Sequence, residues 1–517
     1  MRLFAFATKK QTTVSSAALV LALMVLLSRV LGLIRDRLLS TFFSPEDLGV
    51  YFAAFRIPNV IFELLVMGAL TAAFIPVYTK YLSTERKAEA QRIAAVLINV
   101  SLVILAAISI PLYLGAERVS NLLAPGFSAA QIVEMSKFTR FILIFQVAPL
   151  LIGNVFTGIL QSHNLFLVPA SAPVFYNIGI IAGTIILSPV WGLWGPVIGV
   201  AIGAFLFAAV QIPLVIRLGY RHSTEVNPRI PGVAEVGRLM GPRTLGLAVA
   251  QIDVTVDLIL ASLLGARMVT IFNFAQHLQQ LPVGLFGTTI AQAALPALSV
   301  YSAKEKREEF VSTITMAIHQ ILFWVLPASV LFMVLRIPIV RLVFGAARFD
   351  WNATVDTGMT LSAFSLSLFA QAIIHVLARG FYALYDSKTP VVIGIANVVV
   401  NSVLSSVFVL GFHLPIWSLG LSTSIASIVH ACILFYVLQR KIGGLVTRSF
   451  LVPPIKMAVA ALVTGAALYI PLKLLDQLVF DTTRTVGLIL LTGITGGIGL
   501  MTYFFLTWVF DVGEVKR

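Results

Sequence analysis

The chain has one cysteine, Cys432, in 517 residues. That excludes an internal disulfide and any cysteine-based metal cluster. Charge is scarce as well: Asp, Glu, Lys and Arg make up only 11% of the sequence, and there are seven histidines. No G-x-x-x-x-G-K-[ST] stretch is present, so the chain carries no phosphate-binding loop of its own. It has no H-E-x-x-H, no Ser-His-Asp set and no clustered metal ligands, so it reads as a transporter or scaffold rather than an enzyme, with no cofactor. No cleavable signal is evident, because the apolar run after Lys9 and Lys10 is too long for a signal core and lacks a cleavage site. No stretch between apolar segments is long enough for a soluble domain.

What fills the chain instead is apolar. Hydrophobic residues make up 59%, and the mean hydropathy is +0.97. Only lipid can solvate so much apolar surface. A helix of about 20 apolar residues spans the hydrocarbon. By that measure the sequence predicts an all-α integral membrane protein with about fourteen spans. They centre near residues 24, 62, 104, 150, 177, 206, 248, 284, 323, 367, 400, 427, 462 and 496.

A net charge of +14 could point to nucleic acid, but its distribution excludes that. With the N-terminus inside, 21 of the 36 basic residues fall on the cytoplasmic side, among them Lys87, Lys306, Arg440 and Lys441. Eight fall outside: Arg118, Lys137, Arg267, Arg336, Arg341, Arg348, Lys473 and Arg484. This asymmetry places both termini in the cytoplasm.

An internal repeat appears at an offset of 220. "AAFIPVYTKY" (72–81) aligns with "QAALPALSVY" (292–301), and "GILQSHNLFLVPA" (158–170) resembles "GFYALYDSKTPVV" (380–392). The repeat implies two six-helix halves, 1–220 and 234–440, around a central cavity, followed by two additional helices within 450–510. Transporters commonly bind substrate between such halves and rock them in alternation.

Charge inside the spans marks the candidate site, because charge in lipid is costly and usually faces an internal cavity. In "SRVLGLIRDR" (28–37), Ser28, Arg29, Arg35 and Asp36 share one helical face, and Arg37 points away. In the second span Arg56, Asn59 and Glu63 share a face at i, i+3 and i+7. Three arginines against two carboxylates leave the cluster cationic, and guanidinium forks match phosphate oxygens. An anionic, phosphate-bearing cargo follows; the alternative is that these charges tie helices together. Asp253 and Asp257 lie one turn apart in span seven, and Asn397 and Asn401 one turn apart in span eleven. They read as a monovalent-cation site or as hydrogen bonds between packed helices. His277, beside Gln276, Gln279 and Gln280, reads as lining the cavity or as an ordinary buried histidine. Gly195, Gly199 and Gly203 form a small-xxx-small stripe, read as helix packing.

Several stretches together resemble the MurJ (MviN) lipid II flippases of the multidrug/oligosaccharidyl-lipid/polysaccharide exporter superfamily. They are "SRVLGLIRD", "FRIPN", "GALTAAFIPVY", "LLAPGF", "GLFGTTIAQAALPALS" and "RGFYALYDSKTPV". The resemblance runs in order from about residue 15 to 440. It implies a multi-pass protein of the bacterial inner membrane that moves undecaprenyl-diphosphate-linked peptidoglycan precursor to the outer leaflet. It also implies a cationic cavity lined by spans 1, 2, 7 and 8, and a lipid-tail groove between the last two. By position, Arg29, Arg35 and Asp36 carry over, and Arg56 stands where the family has a basic residue. A sodium site as coupling ion maps to Asp257, Asn397, Asn401 and Thr423. The chain departs from many relatives at Phe62, Glu63 and Met67, and has His277 where arginine is frequent. Substrate binding is therefore expected at Arg29, Arg35, Asp36, Arg56, Asn59, Glu63 and His277, in a monomer whose partners are the lipid-linked diphosphate, the membrane and cell-wall synthesis proteins.

Other readings stay open: a flippase for a different lipid-linked glycan, a drug/cation antiporter, or a non-transporting cell-wall scaffold. The orientation has a direct check. Cysteines placed at Lys87 and Lys306 should react only with cytoplasmic label and one at Arg348 only with external label; cytoplasmic labelling at 348 would invert the topology.

Overall fold

The structure is a computed structural model, and it describes residues 14–67, 70–345, 347–479 and 485–516. The basic residues Arg2, Lys9, Lys10, Arg484 and Arg517 therefore lie outside the described residues. Described secondary structure is helical throughout, with no strand. The helices divide between two compact units, Met1–Val269 and Thr270–Arg517.

In the first unit the helices are α1 (Val14–Phe42), α2 (Pro45–Ala54), α3 (Arg56–Phe62), α4 (Leu70–Ser83), α5 (Lys87–Leu114), α6 (Ala116–Leu123), α7 (Ala129–Phe145), α8 (Val147–Ser162), α9 (Leu167–Ala182), α10 (Ser188–Trp191), α11 (Trp194–Ala209), α12 (Ile212–Arg217) and α13 (Pro231–Leu263). The second unit holds α14 (Ala266–Pro282), whose first turn precedes the boundary, then α15 (Thr289–Ala303), α16 (Arg307–Val334), α17 (Arg336–Phe344), α18 (Trp351–Ser365), α19 (Leu368–Ala383), α20 (Lys388–Ser406), α21 (Trp417–Ile442), α22 (Arg448–Leu478) and α23 (Thr485–Val509).

Thirteen of the fourteen expected span centres fall on one of these helices or on a π-helical turn continuing it, and the one near 367 falls at the break between α18 and α19. Eleven helical stretches among the described residues are long and apolar enough to cross a membrane. A twelfth is the bent pair α18 and α19, which meet at 45°. The number shown is thus eleven to twelve rather than fourteen. The segments expected near 24 and 248 form α1 and α13, of 29 and 33 residues, which stand outside that set. Large apolar side chains are exposed on the flanks, as at Val190 (78%) and Met501 (74%). Such a surface requires lipid.

Helix starts follow local chemistry. Ser44 caps α2: its hydroxyl accepts from Asp47 N at 3.2 Å, while the Asp47 carboxylate takes the Ser44 hydroxyl at 2.8 Å. Pro45 follows at the first helical position, where no amide donor is needed. Ser128 and Gln131 repeat the device on α7. At the helix ends, Arg92 grips Glu225 through two bonds of 2.7 and 2.6 Å, and Asn99 donates to the carbonyls of Ser223 and Glu225. In the second unit Lys441 reaches Asp386 at 2.6 Å, and Asp386 also accepts from the Thr389 amide. These partners hold the Asp386 carboxyl down, to about 2. A depressed acid stabilises the fold above its unfolded value and loses that contribution as pH falls, so this tie is constant at neutral pH and is lost progressively as pH falls from about 4 to about 2.

The 220-residue offset recurs in the helices themselves. Both α5 and α16 have 28 residues, and their first residues are Lys87 and Arg307. π-helical turns begin at Glu63 and Val283, and the left-handed residues Glu85 and Glu305 precede α5 and α16. Packing draws its boundary later than the repeat does, because α13 lies against α4, α5 and α6 of the first unit.

The glycine stripe finds its partner on α9 and the π-helical turn that continues it. A Cβ on Gly179 would sit 2.3 Å from Gly203 Cα, and one on Gly183 would sit 2.5 Å from Gly199 Cα. The two backbones touch, so the contact is dispersion between main chains that no larger residue permits. Gly179→Val or Gly199→Val should each cost about 1–3 kcal/mol or more. Gly493→Ala, with open space around it, should be neutral or slightly stabilising. Thermal unfolding of the purified variants checks this, and equal melting of all three would contradict it.

Candidate functional site: two anchored arginines in the first unit

The first cluster joins α1 to α9. Arg35 half-emerges from α1 and points Nε and Nη2 at one oxygen of Asp36, at 2.9 and 2.8 Å. Its Nη1 donates to Asn177 Oδ1 at 3.2 Å. The Asn177 amide nitrogen then donates to the Ser28 hydroxyl at 3.2 Å and to the Pro173 carbonyl at 3.1 Å. Asp36 is almost wholly buried, at 1% exposed. A buried carboxylate survives only when paired and hydrogen-bonded, which Arg35 provides. Ser28, Arg35 and Asp36 thus meet on one face, as their periodicity predicts. Arg29 is exposed and joins no hydrogen bond of this network.

The second cluster joins α3 to α13. Arg56 is 8% exposed. Its Nε donates to Thr255 Oγ1 at 2.9 Å, and its Nη2 donates to both the carbonyl and the side-chain oxygen of Gln251, the latter at 2.9 Å. Thr255 itself donates to the Gln251 carbonyl at 2.7 Å, so the acceptors are held in place. Each of these acceptors is neutral. Asp257 and Glu63 act on Arg56 only through space. Asn59 is exposed, and Glu63, half-buried, opens a π-helical turn that carries the chain on from α3. Asp257 is buried, and its Oδ1 has no hydrogen-bond partner.

A guanidinium has five N–H donors. Arg35 spends three in its network and Arg56 at least two, so both keep donors for an anion without releasing their anchors. The second unit holds the remaining candidates. His277 is half-buried on α14, two residues before Gln279, which accepts from Gln371 at 3.1 Å; Gln371 also donates to Ser367 at 2.9 Å. Asn397 and Asn401 lie one turn apart on α20, and Asn397 Oδ1 is buried without a hydrogen-bond partner. Thr423, on α21, donates to its own helix at Leu419 O, 2.9 Å. These oxygens are hard donors of the kind that a small cation takes.

Sequence reasoning did not assign roles to Asn177, Gln251 or Thr255 in holding the arginines. The available signal was polarity in apolar spans. Gln251 and Thr255 lie at i, i+4, which puts them on one face.

The fold is shared with solved transporters. It superposes on a structure titled "Lipid II flippase MurJ, inward closed conformation" with TM-score 0.79 and 24% identity, covering 95% of this chain and 98% of that one. It also superposes on an inward-facing multidrug resistance MATE family transporter of the MOP superfamily, with TM-score 0.71 and 15% identity, covering 81% and 95%. The class is therefore a multi-pass membrane transporter fold.

The sequence narrows the class. The family model "Lipid II flippase MurJ" matches residues 38–485. "Probable lipid II flippase MurJ" of Vibrio cholerae is 30% identical over 467 residues, 88% of each chain. "Lipid II flippase MurJ" of Burkholderia cenocepacia is 27% identical over 427 residues, 80% of this chain and 82% of that one. The chain belongs to the lipid II flippase MurJ family.

Asn177 is the bridge whose loss is most readable. Asn177→Leu leaves the Ser28 hydroxyl and Arg35 Nη1 short of a partner, at about 1–3 kcal/mol. A lower melting temperature than wild type is expected; an unchanged one would show that the bridge carries no stability.

Proposed function

We propose that this chain carries lipid II from the inner to the outer leaflet of the bacterial inner membrane by alternating access, with both termini cytoplasmic. Arg29, Arg35 and Arg56 take the diphosphate, Asp36 and Asn177 hold Arg35 in its empty pose, and Asn59, Glu63 and His277 line the path. One observation supports this reading above the others: Arg56 is buried as a cation whose hydrogen-bond acceptors are all neutral. A charge in that setting is costly. A diphosphate offers compensating charge and bidentate geometry at once. An antiporter for cationic drugs uses the same fold, but a cationic cluster repels such a cargo. Recruitment of cell-wall synthesis proteins belongs to the same proposal.

Lipid binding and rescue of a flippase-depleted strain test the reading. Arg35→Ala and Arg56→Ala should each weaken binding of the diphosphate lipid by roughly 10–100-fold, the worth of one charged hydrogen bond. Arg→Lys at either position should restore part of it, because charge returns without the fork. Lys137→Gln, an exposed position in the same unit, should match wild type. Wild-type binding by both alanine variants would make these charges structural.

Sodium as coupling ion is part of the proposal, supported on each unit by a buried oxygen lacking a hydrogen-bond partner: Asp257 Oδ1 in the first and Asn397 Oδ1 in the second. Asn401 and Thr423 would add oxygen donors beside Asn397. Asp257→Asn should abolish sodium dependence of transport while leaving lipid binding intact, and ion-independent transport by the wild type would remove sodium from the account.

A further inference from the structure

The second unit has a cleft at each end of α16. At the Arg307 end, 460 Å³ of space is lined by Lys306, Arg307, Arg440 and Lys441. Those charges are largely engaged: Lys306 with Glu309, Lys441 with Asp386, and Arg440 over the Tyr436 ring. At the Val334 end lies a cleft of 620 Å³ between α17, α22 and α23. With 28 residues, α16 is about 42 Å long, so the two clefts lie at opposite membrane faces.

The Val334-end cleft is lined by Arg336, Arg341 and Lys473, with Asp476 as its one acid among the described residues. On the orientation proposed above it faces the outer leaflet, where the positive-inside rule thins basic residues. Three of the eight basic residues expected on that side are nevertheless gathered here. Helix geometry does not demand them. The corresponding helix of the first unit, α6, has Ala116 and Asn121 at the positions of Arg336 and Arg341.

The charges also have capacity to spare. Arg336 Nη1 donates to the Met333 carbonyl at 2.8 Å, but its Nε is buried without a partner. Arg341 lies over the Trp351 ring, 5.7 Å from its centroid. Lys473 is exposed and makes no ion pair among the described residues. Trp351 and Tyr469, exposed at 59% and 58%, mark the depth as the membrane–water interface. Leu488 and Leu491 form an apolar wall, and Ile470 and Leu474 present open hydrocarbon beside Lys473.

We propose that this cleft binds the phosphate headgroup of a lipid in the leaflet at the Val334 end. Arg336, Arg341 and Lys473 hold the phosphate oxygens, and the chains lie along α22 and α23. The volume fits a phosphoglyceryl group or a diphosphate. The adjoining apolar surface favours a lipid over a soluble anion. The proposal stands on this cleft alone and does not depend on what the first-unit arginines bind.

Native mass spectrometry of the full chain in detergent tests it, with phosphatidylglycerol, undecaprenyl diphosphate, phosphatidylcholine and inorganic phosphate as probes. The variant is Arg341→Gln with Lys473→Gln, both at the rim, and its thermal unfolding should match wild type. It should retain anionic lipid roughly 10–100-fold more weakly, while Lys137→Gln, at an exposed position outside both sites, leaves this retention unchanged. Loss confined to phosphatidylglycerol assigns the cleft to bulk lipid, and loss of the diphosphate assigns it to the translocated product; either supports the proposal. Retention equal to wild type, equal retention of phosphatidylcholine, or full displacement of lipid by inorganic phosphate would overturn it. Should the double variant unfold, Lys473→Gln alone, on the exposed face of α22, gives the same readout.

Discussion

A guanidinium inside a membrane span must be held by protein, because hydrocarbon solvates none of its five N–H groups. The first unit answers that requirement twice, in two ways. Arg35 is neutralised by its neighbour Asp36 and braced by Asn177 from α9. Arg56 is anchored by a carbonyl, an amide oxygen and a hydroxyl of α13, and keeps its charge. The first arrangement is a paired guanidinium with two N–H donors left over. The second is a fixed cation with donors left over. In both, the guanidinium geometry is set in advance, an arrangement that lowers the reorganisation cost of binding.

The same constraint explains how the helices pack. Lipid supplies no hydrophobic drive between spans, so contact comes from close backbone approach and from polar bridges. Gly179 and Gly183 against Gly199 and Gly203 provide the first in α9 and α11. Asn177, two residues before Gly179, provides the second by tying α9 to α1. Helix α9 therefore serves packing and charge placement together. The repeat at 220 residues shows the complementary point: backbone features and the loop ion pair Arg86–Glu89 recur in the second unit, the latter as Lys306–Glu309, while the span charges Arg35 and Arg56 give way to Thr255 and Gln276.

Much of this was legible in the sequence, and the limits have a physical cause. Hydropathy located the helices because burying backbone in lipid forces long apolar runs. The Arg35–Asp36 face and the glycine stripe were legible because a helix repeats every 3.6 residues. The count was less secure, since α1 and α13 combine span length with polar residues. The anchors were not legible in their roles. Asn177 stands 142 residues from Arg35, and no periodicity links them. On α13 the aspartates stand out, while Gln251 and Thr255, about half a turn away, hold Arg56. Neutral polar residues in an apolar span carry no charge pattern that names their partner.

The central claim is that the first-unit arginines select a diphosphate. The most direct measurement compares retention by the purified chain of one polyprenyl lipid in three forms: diphosphate, monophosphate and uncharged alcohol. The account predicts that retention falls by roughly tenfold or more at each removed phosphate, in line with about 1.5–3 kcal/mol for each charged hydrogen bond lost. It also predicts that the steps flatten when Arg35 and Arg56 are both replaced by glutamine. Equal retention of the three lipids by the wild type would contradict it.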